Sequence, residues 1–167
     1  METEEIFALY VNDIYRYLFS LSKDHYLTED LLQETFYRAH LHINELSPTN
    51  IKPWLFKVSH NLFIDYLRKN KRLDFVTNEQ INSKRAQTNI EREVITKVNL
   101  KKVMNHIDLL SASQKYAITL CDVNDLSYQE CAEIMGVSLA SFKSTLYRAR
   151  QNLRKELSEV NKVEKEN

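Results

Sequence analysis

The sequence predicts an all-α protein of two small helical domains joined by a flexible linker. Three observations lead there. Among 167 residues there are one Gly and two Pro, little material for tight β-turns, and 43% of the chain is hydrophobic, enough for folded cores. Apolar residues recur at three- and four-residue intervals over most of the length. Between about Leu73 and Asn89 that periodicity lapses into the polar run "LDFVTNEQINSKRAQTN". The expected plan is a first domain over residues 1–72, a linker over 73–89, a second domain over 90–157 and a frayed tail over 158–167.

Each element follows from its pattern. Ile6, Leu9, Tyr10, Ile14, Tyr17, Leu18 and Leu21 make one amphipathic helix. Thr28 suits the N-cap of a second, with Glu29 and Asp30 in its first turn and Leu32, Thr35, Phe36, Ala39 and Ile43 as its inner stripe. "ELSPTNIKP" breaks the pattern. Pro53 then opens a third helix whose expected core stripe is Leu55, Val58, Leu62 and Tyr66. Periodicity returns from Ile90 through Val94, Val98, Val103 and Ile107, and a short helix is expected over Ser113–Cys121.

The single glycine, Gly136, separates two helical runs. It suits the left-handed position just past a helix, which other residues fill at a steric cost. Upstream, Ser127 and Glu130 have the spacing of a capping box, ahead of Cys131, Ala132 and Met135 as buried residues. Downstream, Val137 is expected to plug the corner and Ser138 to cap a helix with the inner stripe Leu139, Phe142, Leu146, Ala149 and Leu153. The outer face then carries Ala140, Ser141, Lys143, Ser144, Tyr147 and Arg148, with Arg150, Arg154 and Lys155 extending the positive charge. Small polar and basic side chains of this kind can approach base edges and phosphates in a major groove. A plain helical hairpin with a solvated basic face is the rival. The order of small residue, glycine, corner apolar residue and cap favours a DNA-reading helix-turn-helix.

Net charge is zero, yet its distribution is uneven. Residues 1–34 balance to −6, residues 50–72 to +5 and residues 138–157 to +4. An acidic front and two basic segments imply different partners for different parts. The five His and two Cys show no metal-ligand spacing, and one Gly leaves no phosphate loop or nucleophile elbow, so no catalytic residue, metal or cofactor is expected. With no apolar run of membrane-span length and an acidic N-terminus, the expected compartment is cytoplasmic.

Three collinear blocks carry a family resemblance. "DLLQETFYRA" (Asp30–Ala39), "WLFKVSHNLFIDYLRKNKR" (Trp54–Arg72) and "LSYQECAEIMGVSLASFKSTLYRARQNLR" (Leu126–Arg154) resemble the core-polymerase-binding helix, the −10-reading helix and the −35-reading helix-turn-helix of the extracytoplasmic-function (ECF) group of bacterial RNA polymerase sigma factors. The resemblance implies that Asp30, Gln33, Glu34 and Tyr37 dock on the β′ clamp coiled coil of core RNA polymerase. It places Lys52, Trp54, Lys57, His60, Asn61 and Arg68 at −10 DNA, with Asn61 lining a pocket for a flipped base; Trp54 stacks on a base or sits in the core. Ser141, Lys143, Ser144, Tyr147 and Arg148 would read the −35 element. The partners implied are core polymerase (β′ clamp and β flap), promoter DNA and an anti-sigma factor that can tether the chain to the membrane, with no small-molecule substrate.

Three positions depart from the family pattern. Ala140-Ser141-Phe142 stands where Gly-Thr-Val is common, Asn124-Asp125 where an Asp-Gly turn is common, and Ser111 where Pro often begins a helix. The first lies at the base-reading end and puts inherited promoter specificity in doubt. The alternative function is a stand-alone helix-turn-helix regulator. It accounts for Gly136 but leaves the Asp30–Tyr37 patch and the Trp54–Arg72 helix without a role.

Overall fold

The computed structural model describes residues 2–76 and 96–165, with side chains described over 2–73 and 101–159 and at 162. Every regular element among them is helical, and the chain divides into two compact units, residues 1–87 and 88–167. Of the expected linker, 77–89 lies outside the described residues, as do Ile90 and Val94 and the side chain of Val98; residues 73–76 are helical. No helix among the described residues is long and apolar enough to cross a membrane.

The first unit packs three helices pairwise: α1 (Thr3–Ser22), α2 (His25–His42) and α3 (Ile51–Val76). In α1 the buried positions are Ile6, Ile14, Tyr17, Leu18 and Ser20. Leu9, expected in this stripe, is 62% exposed. The α1–α2 turn is made by Lys23 in the left-handed conformation (φ 55°), whose N–H donates to the Phe19 carbonyl at 2.9 Å, the αL form of helix termination.

Helix α2 begins three residues before the expected Thr28. The Asp24 carboxylate takes the Leu27 N–H at 3.0 Å and is the cap. Thr28 is buried one turn in, sharing a 2.8 Å hydrogen bond with the Ser22 hydroxyl. The core face is therefore Thr28, Leu31, Thr35, Phe36 and Ala39, with Leu31 buried in place of Leu32, which is half-buried. Helix α3 starts at Ile51, two residues before Pro53. Pro53 remains in the first turn, where an N–H has no intrahelical partner and its loss is harmless. The buried stripe is Ile51, Leu55, Phe56, Ser59, His60 and Phe63; the expected Val58, Leu62 and Tyr66 are half-buried.

In the second unit α4 (Thr96–Asp108), α5 (Ala112–Ile118) and α6 (Tyr128–Met135) pack on α7 (Leu139–Lys165) or on one another. The Ser111 side chain caps α5, so that helix starts earlier than expected, and it continues into a π-helical turn over Thr119–Val123. Asp125 then takes the left-handed conformation (φ 56°). An Asp tolerates it better than most residues because its short side chain bonds locally. The backbone of α7 stays helical through the expected frayed tail to Lys165, in a stretch with no Gly or Pro to stop it.

Candidate nucleic-acid interface

Three surfaces can be built from these elements. On α2, Asp30, Gln33 and Tyr37 are exposed at helical spacing and Glu34 is half-exposed beside them. Glu34 Oε1 accepts from Arg38 Nε at 2.7 Å, so part of its charge is already matched within the helix. Leu41, four residues beyond Tyr37 and 59% exposed, continues this face. Sequence reasoning passed over it, although its spacing from Tyr37 is the available signal.

On α3, Lys57, Asn61 and Arg68 are exposed on one face with Ile64 half-buried between them. Arg68 lies 3.6 Å from Asp65, one turn away. Lys52 and Trp54 are half-buried at the start of the helix, and the Trp54 ring is tilted against His42 with centroids 6.0 Å apart. Trp54 is thus neither a fully buried core residue nor a free platform.

His60 corrects an expectation. It follows Ser59 on the inner side of α3, is 4% exposed, and its Nδ1 is 2.7 Å from the Tyr17 hydroxyl of α1. Adjacent helical residues are separated by about 100° of rotation, so the position that exposes Asn61 turns His60 inward. Burial pushes its imidazole down to about 4, and the ring is neutral at physiological pH. His60 belongs to the core and is removed from the DNA-facing set.

The third surface is the helix pair around Gly136. Ser127 Oγ accepts from the Glu130 N–H at 3.2 Å while Glu130 returns an acceptor to the Ser127 N–H at 2.8 Å, a complete capping box. Gly136 has φ 66°; its N–H donates to Glu133 O and the Val137 N–H to Ala132 O, the two bonds of a Schellman termination. No atom lies within 4 Å of where a Cβ would sit, so backbone conformation alone asks for glycine here. Val137 is 38% exposed and does not plug the corner; Ile134, not Met135, joins Cys131 and Ala132 in the core.

Ser138 caps α7 by accepting from the Ser141 N–H at 3.1 Å. Phe142, Thr145, Leu146 and Ala149 face inward, whereas Leu139 is 36% exposed and Leu153 half-buried. Ser141, Lys143, Ser144, Tyr147 and Arg148 are all exposed along the outer face. Arg150, expected to extend this basic surface, instead bonds Asp122 of the π turn and the Tyr128 hydroxyl of α6. An arginine committed to a two-point carboxylate contact is held away from an outer phosphate-facing role.

Comparison with known proteins agrees with this arrangement. Residues 6–73 match the model of Sigma-70 region 2, and residues 100–153 that of Sigma-70 region 4. The chain is 42% identical over 155 residues to the ECF RNA polymerase sigma factor SigM of Bacillus subtilis, covering 92% of this chain and 94% of that protein. It is 28% identical to the RNA polymerase sigma factor YlaC of the same organism, with 97% and 95% covered. Among solved structures, the sigma factor RpoE in complex with the anti-sigma factor NepR from Bartonella quintana matches with a TM-score of 0.77 at 27% identity, over 93% of this chain and 96% of that one. Each helical unit carries one of these matches, region 2 in the first and region 4 in the second, and relatives align over most of their length: this chain is a member of the ECF group of RNA polymerase sigma factors.

Proposed function

We propose that this ECF sigma factor divides promoter recognition among the three surfaces described. The first unit holds core polymerase through Asp30, Gln33, Glu34 and Tyr37, which dock on the β′ clamp coiled coil. Lys57, Asn61 and Arg68, with Lys52 and Trp54 at the head of α3, engage the −10 element as it opens. An Asn amide both donates and accepts and so can read a base edge, while Lys and Arg hold phosphates. The second unit reads the −35 element through Ser141, Lys143, Ser144, Tyr147 and Arg148 and contacts the β flap. Each DNA surface is small, and joining the two through polymerase raises their combined affinity above either alone.

The observation that carries this reading is the pairing of an exposed polar and basic face on α3 with a second one on α7, in separate compact units. A stand-alone regulator would need only the second. Binding energy opens the DNA, and no covalent step is involved. A relative of the same architecture is bound by an anti-sigma factor, which supports similar control here, including tethering to a membrane if the partner is anchored.

Transcription in vitro tests the reading. Purified core polymerase acts on fragmented bacterial genomic DNA with and without the protein, and 5′ ends are mapped. New discrete starts sharing two upstream motifs are expected. Polymerase binding without starts would point to a missing promoter; neither binding nor starts, with binding to free duplex sites, would make the protein a stand-alone regulator. Charge reversal at Asp30 and Glu34 to Lys is expected to abolish polymerase binding and leave the fold intact.

A further inference from the structure

The buried polar contact between α1 and α3 has no part in the binding surfaces above. Tyr17 is 1% exposed and His60 is 4% exposed, and their side chains meet at 2.7 Å. The Tyr17 ring also stands edge-on to Phe56, one turn before His60, with centroids 5.1 Å apart. Next to His60 in sequence, about 100° further round the helix, is Asn61, which is exposed. Ser20, Thr35 and Ser59, also buried here, bond carbonyls of their own helices, whereas Tyr17 and His60 join α1 to α3 beside the residue assigned to DNA, and that calls for a reason beyond filling space.

We infer that Tyr17 and His60 are positioning residues: their hydrogen bond fixes the rotation of α3 about its own axis and thereby sets where Asn61 is presented. Apolar packing by Leu55, Phe56 and Phe63 holds α3 against the unit but is non-directional. A hydrogen bond is directional and weakens steeply with misalignment. At the outer radius of a helix, a turn of about 20° moves a side-chain tip by about 2 Å. That exceeds the tolerance of a base-edge contact, so a small rotation uncouples Asn61 from its base without unfolding anything. A buried polar pair that selects one of several near-equivalent packings is an attested use of such groups.

The inference rests on the role proposed above for Asn61, and its test separates the two. A promoter fragment recovered by start mapping is incubated with holoenzyme carrying wild-type protein, Y17F, H60N, H60L, N61A or Y17F combined with N61A. Opening is read from permanganate reactivity of unpaired thymines; core affinity and thermal unfolding are measured on the same preparations. Y17F removes one oxygen and keeps the ring. It is expected to slow opening five- to twentyfold while core affinity stays within twofold. H60N, whose amide sets a polar atom where Nδ1 stood, should keep at least half the wild-type rate; H60L should fall with Y17F. In the N61A background Y17F should change opening by less than twofold, because its effect passes through Asn61.

Opening within twofold of wild type in folded Y17F overturns the inference. So does an equal loss of core affinity and opening, or a Y17F effect that simply multiplies that of N61A. If N61A itself opens the promoter as wild type does, the role of Asn61 fails and the pair's positioning role falls with it.

Discussion

Arg150 and Asp122 form a two-point ion pair, with Nη2 2.6 Å from Oδ1 and Nε 3.0 Å from Oδ2. Arg150 Nη1 reaches the Tyr128 hydroxyl at 3.3 Å as well. One side chain of α7 thus braces both the π turn that precedes the helix-turn-helix and the first residue of α6. The guanidinium lies among basic residues in sequence, yet its task is internal.

Arg148 and Arg150 should therefore separate cleanly. R150A is expected to destabilise the second unit by about 1 kcal/mol, the upper end for a partly exposed pair with two-point geometry. It should leave the salt dependence of promoter binding unchanged. R148A should leave stability unchanged and reduce the slope of log affinity against log salt by about one. Urea unfolding and a salt titration of holoenzyme binding check both; a reduced slope in R150A would return that residue to the DNA-contacting set.

His60 makes stability depend on pH with a definite sign. Its imidazole titrates at about 4 in the folded chain, against about 6.5 for an unfolded histidine. Above the unfolded value neither state is protonated and His60 adds no pH dependence. As pH falls from there toward 4, only the unfolded chain takes up the proton, and stability is lost. The full loss attributable to this group is about 3 kcal/mol, complete below the folded value. Denaturation from pH 7 to 4 should show a shallower decline in H60N than in wild type; parallel declines would contradict the burial.

Left-handed backbone occurs at Lys23, Asp125 and Gly136 among the described residues, and only one of the three is glycine. G136A should destabilise by about 1 kcal/mol through conformation alone, since space for the methyl is open. K23G should stabilise the first unit by a similar amount, about 1 kcal/mol, and D125G by less because Asp suits the region. Equilibrium unfolding in urea gives all three. A destabilised K23G would mean that the Lys23 side chain contributes more than its backbone strain removes.

The two thiols are predicted to be slow. Burial raises Cys131 to about 12 and also raises Cys121, with Asp122 adding to the latter. Thiolate is the reactive form. Alkylation of the folded protein at pH 8, followed by mass spectrometry, should proceed at least tenfold more slowly at Cys131 than for free cysteine, as expected for a pKa several units higher. Denaturant should remove the difference.

Most of the architecture was legible from spacing. The helical class, the division into two units, the capping box at Ser127 and the left-handed Gly136 all depend on neighbours within a few residues, and all are observed. So is the exposure of Ser141, Lys143, Ser144, Tyr147 and Arg148, because a regular stripe of Phe142, Leu146 and Ala149 orients the helix unambiguously. The family itself was legible for the same reason: three local patterns in the correct order.

Helix phase and side-chain partnership were decided elsewhere. Leu9, Leu32, Val58 and Leu62 are apolar, yet the core takes Leu31, Ser59, His60 and Phe63 among others, and periodicity cannot choose between two stripes displaced by one position. The choice is made when three helices pack together, since each must present the face that its neighbours can fill. His60 and Arg150 show the same limit for polar groups. Each sits in a segment whose local text reads as a DNA surface, and each is claimed by a residue distant in sequence, Tyr17 across 43 positions and Asp122 across 28. The sequence by itself determined which helices exist, where they cap and which surfaces are charged. Only the tertiary structure decided which charged and polar side chains are left to meet a partner, because a hydrogen bond made inside the fold takes its donor from the surface.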